Sequence, residues 1–200
     1  VAHEIGNPIT GIACLAQNLR EEREGDGEII EISSQIIEQT KRVSRIVQSL
    51  MSFAHAGGRQ QSLYPVSLRD ITQEAIALLS LNRQRTEVRF VNQCHAEHLA
   101  EGDAQRLAQV VINLLSNARD ASSPGGTIRI SSEQSEQTVY LIVEDEGSGI
   151  PKAIQDRLFE PFFTTKDPGE GTGLGLALVY SIVEEHYGQI DIDSPADPVT

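Results

Sequence analysis

Cysteine is scarce: Cys14 and Cys94 are the two in 200 residues, far apart and without C-x-x-C spacing. Neither a disulfide framework nor a cysteine zinc site is signalled, and a reducing compartment is the expectation. Positive charge is short as well, with 16 Lys and Arg against 29 Asp and Glu and a formal net charge of −13. A surface that acidic repels the phosphate backbone on which nucleic-acid affinity depends, which argues against DNA or RNA as the main ligand. Long apolar runs are missing too. The stretch from Thr172 to Val183 is glycine-containing and shorter than the ~20 residues that span a bilayer, so no membrane contact is expected here. No signal peptide is visible, and the chain opens on Val1 with a candidate functional His at position 3. The sequence is therefore read as a piece of a longer protein, cytoplasmic over this stretch, with any inner-membrane anchor lying elsewhere. No repeat of solenoid length occurs. What remains is the composition of a chain that folds in water, 39% hydrophobic and 22% charged. If such an acidic chain handles a polyanion, helix N-termini, a few cations or a metal ion must supply the positive potential.

The first fifty residues carry almost no Gly or Pro after Gly11, apart from one break. Ile5, Ile9, Ile12, Leu15 and Leu19 step by four and three, the mark of one helix face. After the run Glu21 to Gly27, Ile29, Ile32, Ile36, Val43, Ile46 and Leu50 continue the pattern to about Phe53. An αα-hairpin follows, over residues 1–58. Two such helices cannot close a core alone, so a second copy is expected to complete a four-helix bundle and make a homodimer; packing onto the rest of the same chain is the alternative.

Residues 59–65 read as a linker and 66–200 as a second domain. Val66 to Asn82 predicts a short strand and a helix, Glu87 to Asn92 a strand, and Asp103 caps a helix running to about Ala121. Thr127 to Ser132 and Thr138 to Glu144 predict an antiparallel pair, Thr172 to Glu185 a helix, and Gln189 to Asp193 the start of a strand. The fold class is α+β: a helical hairpin followed by an α/β sandwich with helices over an antiparallel sheet.

Three clusters in the second domain carry chemistry. In Gly171-Thr172-Gly173-Leu174-Gly175-Leu176 alternate glycines leave the backbone amides open, and the helix that follows points its N-terminus at the same place, which suits a phosphate chain. The segment lacks the Lys-Ser/Thr ending of a P-loop, and a plain flexible loop is the competing reading. Asp145, followed by Gly147, Gly149 and Ile150, leaves a strand expected to be buried on one side. A carboxylate there could accept from the exocyclic amine of adenine, or the stretch is an acidic turn. Asn113 and Asn117 share one helix face at i and i+4 and offer two neutral carbonyl oxygens to Mg²⁺, though such pairs also serve as surface or capping groups.

With these residues the chain resembles the catalytic core of a two-component sensor histidine kinase. His3-Glu4-Ile5-Gly6-Asn7-Pro8 is similar to the phosphoacceptor box, Asn113 to Ala121 to the N box, and Val143 to Pro151 to the G1 box. Phe159 to Lys166 is similar to the F box and Gly171 to Leu176 to the G2 box. The resemblance implies a dimerisation and phosphotransfer hairpin before an ATP-binding domain of the Bergerat (GHKL) type. It implies Asn117 with Asn113 on Mg²⁺, Asp145 on adenine, and a mobile lid from about Phe163 to Gly171. It also implies a response-regulator receiver domain as partner. Family members carry more helix before the phosphoacceptor box and one more strand at the far end, so both ends look truncated.

His3 can act as nucleophile because a neutral imidazole keeps one ring nitrogen free, and Glu4 can accept from the other. Asn7 lies one turn on, and the family implies that it positions a hydrolytic water, hence a phosphatase activity too. Thr165, Lys166, Arg119 and Asp120 complete the candidate phosphate end, with Lys166 and Arg119 as its cations. Cys94, His95 and His98 have no fourth ligand at a zinc spacing, and His186 is expected as a cation at a helix C-terminus. The reading is an ATP-dependent protein-histidine kinase. Its rivals are a gyrase-type or mismatch-repair-type ATPase and a non-catalytic dimeric scaffold.

Overall fold

The structure is a computed structural model describing residues 2–23, 25–54, 63–81, 87–166 and 171–194, with side chains described except at 2–6, 42, 45, 46 and 48–54. Helix α1 (Ala2–Glu22) and helix α2 (Gly27–Ala54) form the expected hairpin. Asp26 starts the second helix by accepting from the Ile29 amide at 3.3 Å. Small residues sit where the helices meet: Ala16 and Ser33 are 5% and 0% exposed. The larger apolar residues face outward instead. Leu15 is 70% exposed, and Ile12, Leu19, Ile32 and Val43 are exposed as well. An apolar groove of about 520 Å³ runs between the helices, lined by Ile9, Ile12, Ile32, Ile36 and Val43 among others. No helix among the described residues is long and apolar enough to cross a membrane.

The remaining elements are β1 (Tyr64–Ser67), α3 (Leu68–Ser80), β2 (Arg89–Gln93), β3 (Leu99–Gly102) and α4 (Ala104–Ala121), followed by β4 (Thr127–Ser135), β5 (Thr138–Glu144), α5 (Lys152–Gln155) and α6 (Gly175–Glu185). Strand β1 opens at Tyr64, two residues before the expected start, and pairs antiparallel with β3, which the sequence pattern did not mark. Pro65 fits because β1 is an edge strand, where a missing N–H costs no ladder bond. The main sheet has the order β2-β4-β5 and is mixed rather than antiparallel. β4 and β5 form the expected antiparallel pair, Ile130 opposite Val143, but β2 runs parallel to β4, Phe90 opposite Ile128. A parallel neighbour needs a long crossover, and the chain between these strands supplies one through α4.

Helix α4 organises the domain because each of its faces has a different task. Asp103 caps it, accepting from Gln105 and Arg106 amides at 2.9 and 3.1 Å. Val111, Leu115 and Ala118 pack with Ile71 and Ala75 of α3 and with Ile128 and Ile130 of β4. Ile128 and Ile130, two apart on one face of the strand, are both fully buried. Val110 packs instead with Leu178, Val179 and Ile182 of α6. The third face, bearing Asn113 and Asn117, is left for the cleft.

Two expectations are corrected at the far end. Helix α6 starts at Gly175 rather than Thr172, and Gln189 to Asp193 forms no strand with any partner among the described residues. Ile190 still packs on the α4 and α6 cluster. The His186 ring is engaged at both nitrogens. Its Nδ1 lies 2.7 Å from the Ile182 carbonyl, and its Nε2 accepts from the Asp103 amide at 3.1 Å, tying the end of α6 to the start of α4.

Candidate functional site

One open cleft lies between α4, the end of β5, the loop before α5 and the start of α6. It gathers Asn113, Asn117, Asp120, Asp145, Gly147, Gly149, Ile150, Thr165, Lys166 and the whole stretch Gly171 to Leu176. These residues are scattered from Asn113 to Leu176 along the sequence, and the packing of α4 against α6 is what brings them together. Ile9 and Thr10 of α1, and Ser44 and Val47 of α2, border the same cleft. The side chains of His3 and Glu4 lie outside the described residues; Asn7 is exposed one turn further along α1.

The phosphate-suited end is built from helix termini and amides. The Asn113 Nδ2 donates to the Gln109 carbonyl at 3.0 Å, which leaves its Oδ1 on the side of Gly175, where an added Cβ would come to 3.4 Å. Asn117, one turn on, makes no side-chain hydrogen bond among the described residues. The first turn of α6 has no side-chain cap, so its amides stay available. Gly173, at φ +65, lies so close to Phe162 that a Cβ would come within 2.3 Å of the Phe162 carbonyl carbon. The Phe162 amide donates back to the Gly173 carbonyl at 2.9 Å. The F-box-like and G2-like segments are thus backbone-to-backbone neighbours. Thr164 accepts from the Lys166 amide at 3.2 Å, and the expected lid continues into 167–170, which lie outside the described residues.

Cations are distributed differently from the expectation. Lys166 reaches the cleft, its Nζ 2.6 Å from the Asp120 carboxylate. Arg119 does not: it is 5% exposed, and its guanidinium donates to the Leu79 carbonyl and to the Ser116 hydroxyl, both at 3.5 Å. Leu79 is in the last turn of α3, so Arg119 meets the negative end of that helix rather than a bound phosphate. The side-chain direction follows from its place two residues after Asn117, about 200° around the helix.

At the other end, Asp145 is exposed rather than buried, and lines the cleft with one oxygen, Oδ1, accepting from the Gly147 amide at 2.8 Å. Gly149 at φ 72 turns the chain toward Ile150. Ile154 and Leu158 add apolar wall beyond the motif. Their i, i+4 spacing after Pro151 was the available signal. An acidic group among apolar side chains, open to solvent, can read a flat base carrying an amine.

The fold and the cleft define the class: a nucleotide-binding α/β sandwich of the GHKL type joined to a helical hairpin. Residues 1–59 match the family model of the His Kinase A (phospho-acceptor) domain, and residues 102–198 match that of the Histidine kinase-, DNA gyrase B-, and HSP90-like ATPase. The chain is 34% identical over 196 residues to Sporulation kinase A of Bacillus subtilis, covering 97% of this chain and 31% of that protein. It is 33% identical over 207 residues to the sensory histidine kinase/phosphatase NtrB of Rhodobacter capsulatus, covering 97% and 57%. Among solved structures, the histidine kinase ThkA in complex with the response regulator protein TrrA superposes with a TM-score of 0.65 at 28% identity, over 94% of this chain and 54% of that one. The chain belongs to the sensor histidine kinase family. It spans about a third to somewhat over half the length of these curated relatives. The match over 1–59 sets aside the gyrase-type reading, which has no phosphoacceptor hairpin.

Proposed function

We propose that this chain is an ATP-dependent protein-histidine kinase core in which His3 takes the γ-phosphoryl group of Mg-ATP and passes it to an aspartate on a response-regulator receiver domain. The observation that carries the reading is the shared cleft. The asparagine face of α4, the Asp145 loop and the uncapped start of α6 converge there, and Ile9 and Thr10 of the helix that bears His3 stand at its border. Ile9 is six positions after His3, ~9 Å along a helix at 1.5 Å per residue.

Asp145 would accept from the adenine amine while Gly147, Gly149 and Ile150 present backbone to the base. The α6 amides and the Gly171 to Leu176 loop would cradle the phosphates, with Lys166 as the nearby cation and Thr165 beside it. Asn113 and Asn117 offer two hard, neutral oxygens, a donor set that fits Mg²⁺. The metal, when bound there, would offset phosphate charge. For transfer, a ring nitrogen of His3 attacks the γ-phosphorus in line; the N–P bond forms as the bond to the ADP oxygen breaks, and ADP leaves. Glu4 accepts a hydrogen bond from the other ring nitrogen and stabilises the charge that develops. Asn7, on the same face of α1, would hold the water that hydrolyses the regulator's aspartyl phosphate; the kinase/phosphatase NtrB, a relative, supports that second activity. The protein acts as a homodimer, supported by the exposed stripe around Leu15 and the phospho-acceptor domain match.

Incubation with γ-labelled ATP should give an acid-labile, base-stable phosphoprotein, and His3→Gln should abolish it. Label that survives this substitution would overturn the assignment.

A further inference from the structure

The loop Asp145 to Ile150 contains two glycines and leads into Pro151, yet both of its halves are held. In the first half the Gly147 amide donates to Asp145, and Gly147 lies so close to the end of α4 that a Cβ would come to 2.7 Å from the Ala121 carbonyl oxygen. The second half is held by two side chains: the Ile150 amide donates to the Ser194 hydroxyl at 2.8 Å, and the Gln155 Nε2 donates to the Ile150 carbonyl at 3.0 Å. Both bonds are part-buried. Ser194 comes from 44 positions away, at the end of the segment that anchors itself on α4 and α6 through Ile190.

We propose that Ser194 and Gln155 are positioning residues that fix the Ile150 backbone and so preorganise the base-binding half of the cleft. The proposal rests on the nucleotide reading above. A loop with glycines at 147 and 149 samples many shapes, and a nucleotide binds only the fraction already in the competent one, which lowers apparent affinity by that fraction. Two side-chain bonds to a single residue raise the fraction. Neither residue belongs to the Asp-x-Gly-x-Gly pattern, so the motif alone does not point to them. The segment after α6 thereby links the phosphate-binding helix to the base-binding loop through one hydroxyl.

Losing one such hydrogen bond should weaken binding of both ADP and ATP by roughly 2- to 12-fold. In Ser194→Ala the KM for ATP should rise by that factor while labelling of His3 at saturating ATP keeps its rate. Discrimination between ATP and GTP should narrow, which a general loss of stability would not produce. Ser194→Thr keeps the hydroxyl and should restore both. Gln155→Met gives an independent variant with the same expected signature. Amide hydrogen exchange offers a readout without nucleotide: Ile150 should be protected in the parent chain and in Ser194→Thr, and exposed to exchange in Ser194→Ala. If the parent chain binds ADP and ATP but Ser194→Ala and Gln155→Met match it in affinity, selectivity and Ile150 exchange, the clamp is wrong. Absence of any nucleotide binding by the folded parent chain would overturn the nucleotide reading and the clamp with it.

Discussion

A methyl group at residue 173 has nowhere to go. Its Cβ would stand 2.3 Å from the carbonyl carbon of Phe162 and 2.5 Å from that residue's oxygen, both backbone atoms, at a position whose φ is +65. The left-handed conformation costs an L-residue roughly 1–2 kcal/mol. Overpacking against atoms that cannot rotate away adds about 1–3 kcal/mol. Relief requires the loop to draw back from Phe162, which breaks the 2.9 Å bond from the Phe162 amide to the Gly173 carbonyl and displaces the first turn of α6. Gly125→Ala is the matched control. Gly125 has φ +84 but nothing within 4 Å of an added Cβ, and it lies in the turn before β4, outside the cleft. It keeps the torsional cost alone, so its thermal midpoint should fall by roughly 2–8 °C with Mg-ATP affinity within about twofold of the parent. Gly173→Ala should weaken Mg-ATP by about tenfold or more, the equivalent of ~1.4 kcal/mol, as read by calorimetric titration. Affinity of Gly173→Ala within about twofold of the parent would refute the claim that this close approach shapes the phosphate end.

Leu15→Glu places a charge on a side chain 70% exposed in one copy and should shift the protein from dimer to monomer by light scattering; an unchanged dimer would remove the hairpin stripe from the interface. Leu115, fully buried between α3 and the main sheet, should cost about 2–5 kcal/mol when cut to Ala, seen as a lower urea midpoint, and a loss under 1 kcal/mol would contradict the packing. Burial pushes the Cys94 thiol above its ordinary value of 9.0, and hydrogen bonds from the Thr72 and Ser132 side chains only partly offset this. The unfolded thiol therefore ionises first, so this group leaves stability unchanged below pH 9.0 and lowers it as pH rises from there toward the folded value. Urea unfolding at pH 8 and 10 should show a shallower decline in Cys94→Ala than in the parent, and equal declines would exclude the effect.

Local chemistry was legible where it was strong. Asp103 before an apolar periodic run marked the start of α4, and alternation with a polar turn marked β4 and β5. The boxes name residues that the fold gathers along one cleft, since runs of glycine, asparagine and aspartate stand out in a sequence before any packing partner is known. What was missed depended on such partners. The parallel pairing of β2 with β4 is set by the crossover through α4, and no residue in either strand encodes it. Gln189 to Asp193 has strand-like alternation but no pairing neighbour among the described residues. Arg119, expected as a phosphate cation, stands about 200° around the helix from Asn117 and reaches the end of α3, while Asp120, three residues after Asn117, lies on the cleft side and holds Lys166. Ser194 and Gln155 carried no signal, since a single serine or glutamine declares nothing until the fold brings a backbone amide or carbonyl to it.

Titration of the folded chain with ATP in millimolar Mg²⁺, followed by calorimetry, tests the cleft itself. One nucleotide per chain, with affinity lost in Asp145→Ala and in Asn117→Ala, is the result expected. No heat of binding from a chain whose circular dichroism and cooperative melting prove it folded would contradict the account at its root.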